Sequence, residues 1–112
     1  RFWAWKLLDF PDATLQRAVQ PLATALRDRS GAFPIPDASV QETIVSALLF
    51  AGAIQHADGS FDQAYPHEHS VGATAFLLDS MLAAYDVVAP ACDAVTRGRL
   101  LATFERASGF LL

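Results

Sequence analysis

The stretch HADGSFDQAYPHEHS, His56 to Ser70, gathers all three histidines of the chain with Asp58, Asp62, Glu68 and Tyr65. Ala, Leu, Val and Phe dominate the sequence around it. Several chemistries draw on such a set. His69 and Tyr65 are the side chains best placed to move protons at a saccharide or ester, with Glu68 or Asp62 to orient them. Phe61 and Tyr65 beside polar groups suit stacking on a sugar, which requires no catalysis. Asp58, Ser60 and Asp62 have the alternate-residue rhythm of a calcium loop, but Gln63 stands where that loop needs Gly and His69 where it needs Glu. His67 and His69 are two apart and His56 is distant, so no zinc spacing fits. The sequence therefore predicts no metal and no cofactor. The plainest reading is a helix-to-helix connection. Asp58-Gly59 is a turn signal, Pro66 stiffens the exit, and Ser70 restarts a helix.

The elements around the loop read as helices, with no convincing strand. A first helix is expected from Ala13 to Arg29, capped by Asp12, with Leu15, Ala18, Val19, Leu22 and Leu26 on one face. Pro21 predicts a kink or a split in it. SGAFPIPD then forms an extended linker. A second helix is expected over Ala38–Gln55 with Asp37 as cap, and a third over Ser70–Val88. Both are apolar round most of their circumference, so both are expected to be the most buried. In the third, Gly72, Asp79 and Asp86 share one narrow stripe. Every other position, including Val71, Phe76, Leu77, Leu78, Met81, Leu82 and Tyr85, is expected to face protein. A fourth, amphipathic helix is expected over Asp93–Ser108, capped by Asp93 and stopped by Gly109. FWAWKLL reads as the end of a further helix.

Composition bounds the rest. The 112 residues allow one modest domain, 53% hydrophobic and only 18% charged. That is apolar for a domain of this size, so some faces are expected to pack on further chain or on a second copy. The RFWAWKLLDF start and SGFLL end point the same way, to a fragment. The net charge of −4 with scattered basic residues argues against a nucleic-acid partner. No unbroken run reaches the roughly 18 apolar residues of a membrane span; the longest, Ile44–Ile54, is interrupted by Ser46. The single Cys92 leaves the redox compartment, and hence the localisation, undetermined.

The segment DGSFDQAYPHEHSVGATAFLLDSMLAAY resembles the helix-pair segment of (α/α) toroid proteins of bacterial polysaccharide metabolism, heparinase II/III-like in kind. In those proteins an inner helix of the form HSxxATAFxLxxLxxAY follows a DGSF turn. Asp58, Gly59, Ser60 and Phe61 match the turn; His69, Ser70, Ala73, Thr74, Ala75 and Phe76 match the start of the inner helix. The resemblance implies an all-α fold of antiparallel helix hairpins, with residues 1–112 a single helical domain within a larger toroid. Loops at one rim would line a glycan cleft. It also implies a Tyr–His pair for β-elimination next to a uronate carboxylate. Tyr65 and His69 then become the catalytic candidates, and Asp58, Phe61, Asp62, His67 and Glu68 the substrate-binding ones. The family's FEQSxxYH arrangement is here FDQAYPHEH, with Tyr65 and His67 separated by Pro66 and the spacing shortened. The expected function is polysaccharide-associated and lyase-like, the partner an acidic polysaccharide or oligosaccharide. The rival expectation is a non-catalytic helical domain that binds a glycan or a protein. It stays open because the chain offers no second polar cluster to complete an enzyme.

Overall fold

A computed structural model describes residue 16 and residues 19–28, 37–63 and 67–112. The expected Asp12 cap, the FWAWKLL helix end, most of the SGAFPIPD linker and Tyr65 lie outside the described residues. Those described are all-helical. Helix α1 spans Val19–Asp28, α2 Asp37–Ile54, α3 Val71–Val88 and α4 Ala94–Leu111, with a 3-10 turn at Ala89–Ala91 between the last two. The extended pairing among them is a single antiparallel bridge between Phe61 and Ser70.

Each helix follows from local signals. Pro21 lies within the described part of α1, and Gln16 before it is helical too. The start of α3 is set by Ser70, whose Oγ accepts the Ala73 N–H at 3.1 Å. Pro90 stands two residues beyond its last residue, Val88. Asp93 caps α4 by accepting the Thr96 N–H at 2.7 Å. The predicted stop at Gly109 fails: α4 runs through it to Leu111. A glycine ends a helix by turning left-handed, and among the described residues only Gly59 is a glycine with positive φ.

Helix α3 is the centre of the packing, against α1, α2 and α4. Leu77, Met81, Ala84 and Val88 on it are completely buried, against Ile44 and Leu48 of α2 and Leu100 of α4. Each such Leu, Ile or Met contributes about 1.5–3 kcal/mol relative to an exposed position. Tyr85 of α3 meets Phe104 of α4 edge to face, ring centroids 5.4 Å apart.

Two expectations about burial need correcting. Helix α2 is no more buried than α4. It buries Val40, Ile44, Leu48 and Ala51, one residue per turn, while Phe50 is exposed. Its apolar composition outruns the surface its neighbours cover. On α3, Leu77, Leu78 and Met81 are buried as expected, but Val71, Phe76 and Leu82 are exposed alongside Gly72, Asp79 and Asp86. One stretch among the described residues, Val71–Ala91, is long and apolar enough to cross a membrane by length and composition. Counting unbroken apolar runs missed it, because Thr74, Asp79, Ser80 and Asp86 interrupt the sequence. The core helix of a packed bundle meets the same criterion, and α3 is the helix round which the others pack.

Candidate functional site

The polar loop joins α2 to α3, and the core anchors it at three points. The first is Gln55, just past α2. Its Nε2 donates to the carbonyls of Gly59 and Thr103, both at 3.0 Å, and its Oε1 accepts from Arg106 Nε at 2.9 Å. The second is Gly59, at φ +95°. A Cβ built on it would stand 1.9 Å from the Arg106 carbonyl oxygen, so the backbone lies against α4 where only glycine fits. The third is Phe61, 1% exposed. Its N–H donates to Thr74 Oγ1 at 3.0 Å, and its carbonyl accepts the Ser70 N–H at 2.8 Å. Thr74 Oγ1 in turn donates to the Ser70 carbonyl at 2.6 Å. The loop's exit from α2 is thereby tied to the first turn of α3.

On this frame Asp62 organises the second half of the loop. Its Oδ2 accepts the His67 N–H at 2.8 Å; its Oδ1 accepts the His69 N–H at 2.9 Å and meets His56 Nε2 at 2.8 Å. His67 and His69 both have left-handed backbones, at φ 59° and 52°. That conformation costs a non-glycine residue on the order of 1–2 kcal/mol, and the carboxylate that takes both N–H groups offsets it. Burial pushes the Asp62 carboxyl up, but the N–H of His69, the His56 ring and the N–H of His67 together hold it below its ordinary value. Glu68 closes the far side by accepting the Gln63 N–H at 2.9 Å.

Asp58 does similar work at the surface. Its Oδ1 accepts the Ser60 N–H at 3.0 Å and the Ser60 hydroxyl at 2.5 Å, while Oδ2 lies 2.9 Å from His69 Nδ1. The Ser60 hydroxyl bond, first among these, holds the Asp58 carboxyl below its ordinary value. Ser60 Oγ also lies 2.7 Å from His69 Nδ1.

These contacts assign protons. The Ser60 hydroxyl has one hydrogen, and its short contact with a carboxylate oxygen requires that hydrogen there. His69 Nδ1 must then be the donor, shared between Ser60 Oγ and Asp58 Oδ2, which in the neutral ring leaves Nε2 with the lone pair. Asp62, acceptor-only as a carboxylate, requires His56 to donate through Nε2, which in the neutral ring leaves its lone pair on Nδ1. Two carboxylates thus fix two imidazoles in opposite tautomers. The rings stack, His56 on His69 at 4.1 Å between centroids, with His67 5.9 Å from His56. One ring nitrogen from each of the three lies within 4.8 Å of the others.

Ser60, His69 and Asp58 together do not make a hydrolase triad. In such a triad the serine and the carboxylate hold opposite nitrogens of the imidazole. Here both hold Nδ1, and Ser60 is completely buried.

The predicted site residues therefore separate. His67, His69 and Asp58 reach the surface of one cluster. Asp62 is buried, its oxygens committed to His56, His67 and His69, so it is a positioning residue and does not contact substrate. Phe61 is a correction: its ring is in the core and cannot stack on a sugar. Glu68 lies at the edge. Tyr65 falls outside the described residues. Spacing along the chain missed His56 and Ser60. His56 is remote in sequence from His67 and His69, yet the Asp58-Gly59 turn returns the chain and Asp62 links them. The signal available was the interleaving itself, with an acid two residues from His56 and another between it and His67.

No family model matches the chain, nor does any curated protein or solved structure.

Proposed function

We propose that this chain is a helix-hairpin portion of an (α/α) toroid of polysaccharide metabolism, and that the histidine–carboxylate loop is the rim at which it meets an acidic glycan. The observation that supports this reading is the setting of His69. Asp58 fixes its Nδ1–H, so Nε2 presents a lone pair from a side chain 39% exposed. It stands one residue before the N-cap of α3, where free N–H groups and the helix dipole favour anions. A uronate carboxylate drawn to that end would lie beside a base with its tautomer already set. Lyase-like proton abstraction next to a carboxylate is the reaction such a base suits, with Tyr65 as its expected partner. A base oriented by a carboxylate suits processing as well as binding.

Calorimetry of the protein against uronate-containing and neutral oligosaccharides tests the reading. Binding is expected for the acidic glycans alone. His69→Ala and Tyr65→Phe are expected to weaken binding or turnover at least tenfold, about 1.4 kcal/mol. Turnover would appear as absorbance of an unsaturated uronide. Equal heats for both glycan classes, or variants indistinguishable from the parent, would return the loop to a simple connection.

A further inference from the structure

We propose that His56, His67 and His69 form a three-histidine site for a divalent transition-metal ion of the zinc class. The proposal goes beyond the glycan reading and does not depend on it. It departs from the expectation of no metal, which rested on spacing along the chain.

Three observations carry it. One ring nitrogen of each histidine lies within 4.8 Å of the others. A tetrahedral zinc with its usual bond lengths spaces nitrogen ligands about 3.4 Å apart, so the rings of His56 and His69, now stacked at 26° between planes, must turn to bring their lone pairs onto one ion. Secondly, two of the three rings already have the backing that metal-ligating histidines have. A histidine on a metal donates its remote N–H to a carboxylate or carbonyl, which fixes the tautomer and raises the basicity of the ligating nitrogen. His56 donates to Asp62 Oδ1 at 2.8 Å and His69 to Asp58 Oδ2 at 2.9 Å. Each is left with one lone pair, on Nδ1 of His56 and Nε2 of His69. Thirdly, the backbone is distorted to bring the rings together. His67 and His69 are the non-glycine residues with positive φ among those described, and both are held there by one carboxylate. Strain of this kind collects at sites of function.

The donor set selects the ion. Imidazole nitrogens suit zinc, copper, nickel and cobalt, whereas calcium and magnesium need oxygen ligands. Here the carboxylate oxygens are occupied by N–H and O–H donors. Three protein ligands are the pattern of zinc sites that leave the fourth position to water or substrate. A uronate carboxylate oxygen would suit that position. The ion would also occupy the lone pair on His69 that proton abstraction uses, so the two are alternative uses of one side chain.

The test is calorimetric titration of the chelator-treated chain with zinc chloride, in the absence of any glycan, with cobalt chloride as the spectroscopic probe. One zinc per chain is expected, with cobalt giving the intense visible absorption of a four-coordinate ion and calcium or magnesium giving no saturable heat. His67→Gly relieves the left-handed backbone, so it keeps the fold, and it is expected to weaken zinc at least tenfold. Asp58→Asn removes the backing of His69 and is expected to weaken it 10–100-fold, with helical circular dichroism unchanged. No saturable zinc binding at one per chain, or His67→Gly binding as tightly as the parent, would overturn the proposal. Because no sugar is present, this failure would leave the glycan reading standing, and the converse holds as well.

Discussion

His69 Nδ1 lies 2.9 Å from Asp58 Oδ2 although eleven positions separate the two residues. The contact converts a turn acid and a helix-entry histidine into an oriented pair. Asp58 is half-exposed and outside the core, so its charge can be removed without disturbing the packing. We expect Asp58→Asn to lower acidic-glycan binding or turnover by tenfold or more while the thermal midpoint changes little. Glycan calorimetry beside a melting curve checks this. A large loss of stability with binding intact would mean that Asp58 only shapes the turn.

Backbone conformation gives two substitutions of opposite sign. Gly59→Ala places a Cβ against the Arg106 carbonyl at a left-handed backbone. It should destabilise by about 1 kcal/mol or more from φ alone, with the overlap adding to this. His67→Gly, at φ 59°, should instead be neutral or stabilising, by up to about 1 kcal/mol. Urea unfolding of the two variants measures both. His67→Gly destabilised as strongly as Gly59→Ala would show that the His67 ring itself is a structural element.

Thr74 links the loop to α3 through a buried hydroxyl that accepts the Phe61 N–H. Thr74→Val keeps the shape and strands that N–H. The expected cost is about 1–3 kcal/mol. Hydrogen exchange should show the Phe61 and Ser70 amides losing protection before the centre of α3. Unchanged protection at both would mean that the bridge is held by other contacts.

Acid should act on α4 through its cap. The Thr96 N–H bonded to Asp93 holds that carboxyl below its ordinary value. The native state therefore binds this proton less readily than the unfolded chain does. The contribution is fully present above the ordinary carboxylate value of 3.8 and is lost as pH falls through the lower folded value. Asp93→Asn keeps a capping oxygen without a titrating group. Its melting temperature should therefore match the parent's more closely below pH 3.8 than at neutral pH. A difference between the two proteins that does not change with pH would contradict this role.

The helices were legible because their signals are local. The Ser70 and Asp93 caps, and the face of Val19, Leu22 and Leu26, can be read within a few residues of each position. The continuation of α4 past Gly109 was not, since glycine permits a stop without requiring one. The burial of Phe61 and the exposure of Phe76 and Leu82 depend on which helix covers which face, and apolar composition alone does not specify this. In the site, the polar character of residues 56–70, the proton-moving role expected of His69 and the turn at Asp58-Gly59 came from residue type. The convergence of His56 on His67 and His69 did not. It arises from a glycine pressed against α4 and a buried aspartate that bonds three partners, and both depend on the tertiary fold.

The central claim is that two carboxylates fix His56 and His69 in opposite tautomers, each left with one free ring nitrogen. Long-range nitrogen–proton NMR correlations of the imidazole rings, at a pH where the rings are neutral, test it most directly. The account predicts the proton on Nε2 of His56 and on Nδ1 of His69, with Asp58→Asn disturbing the second and leaving the first. The same tautomer in both rings, or rapid averaging between tautomers in both, would contradict it.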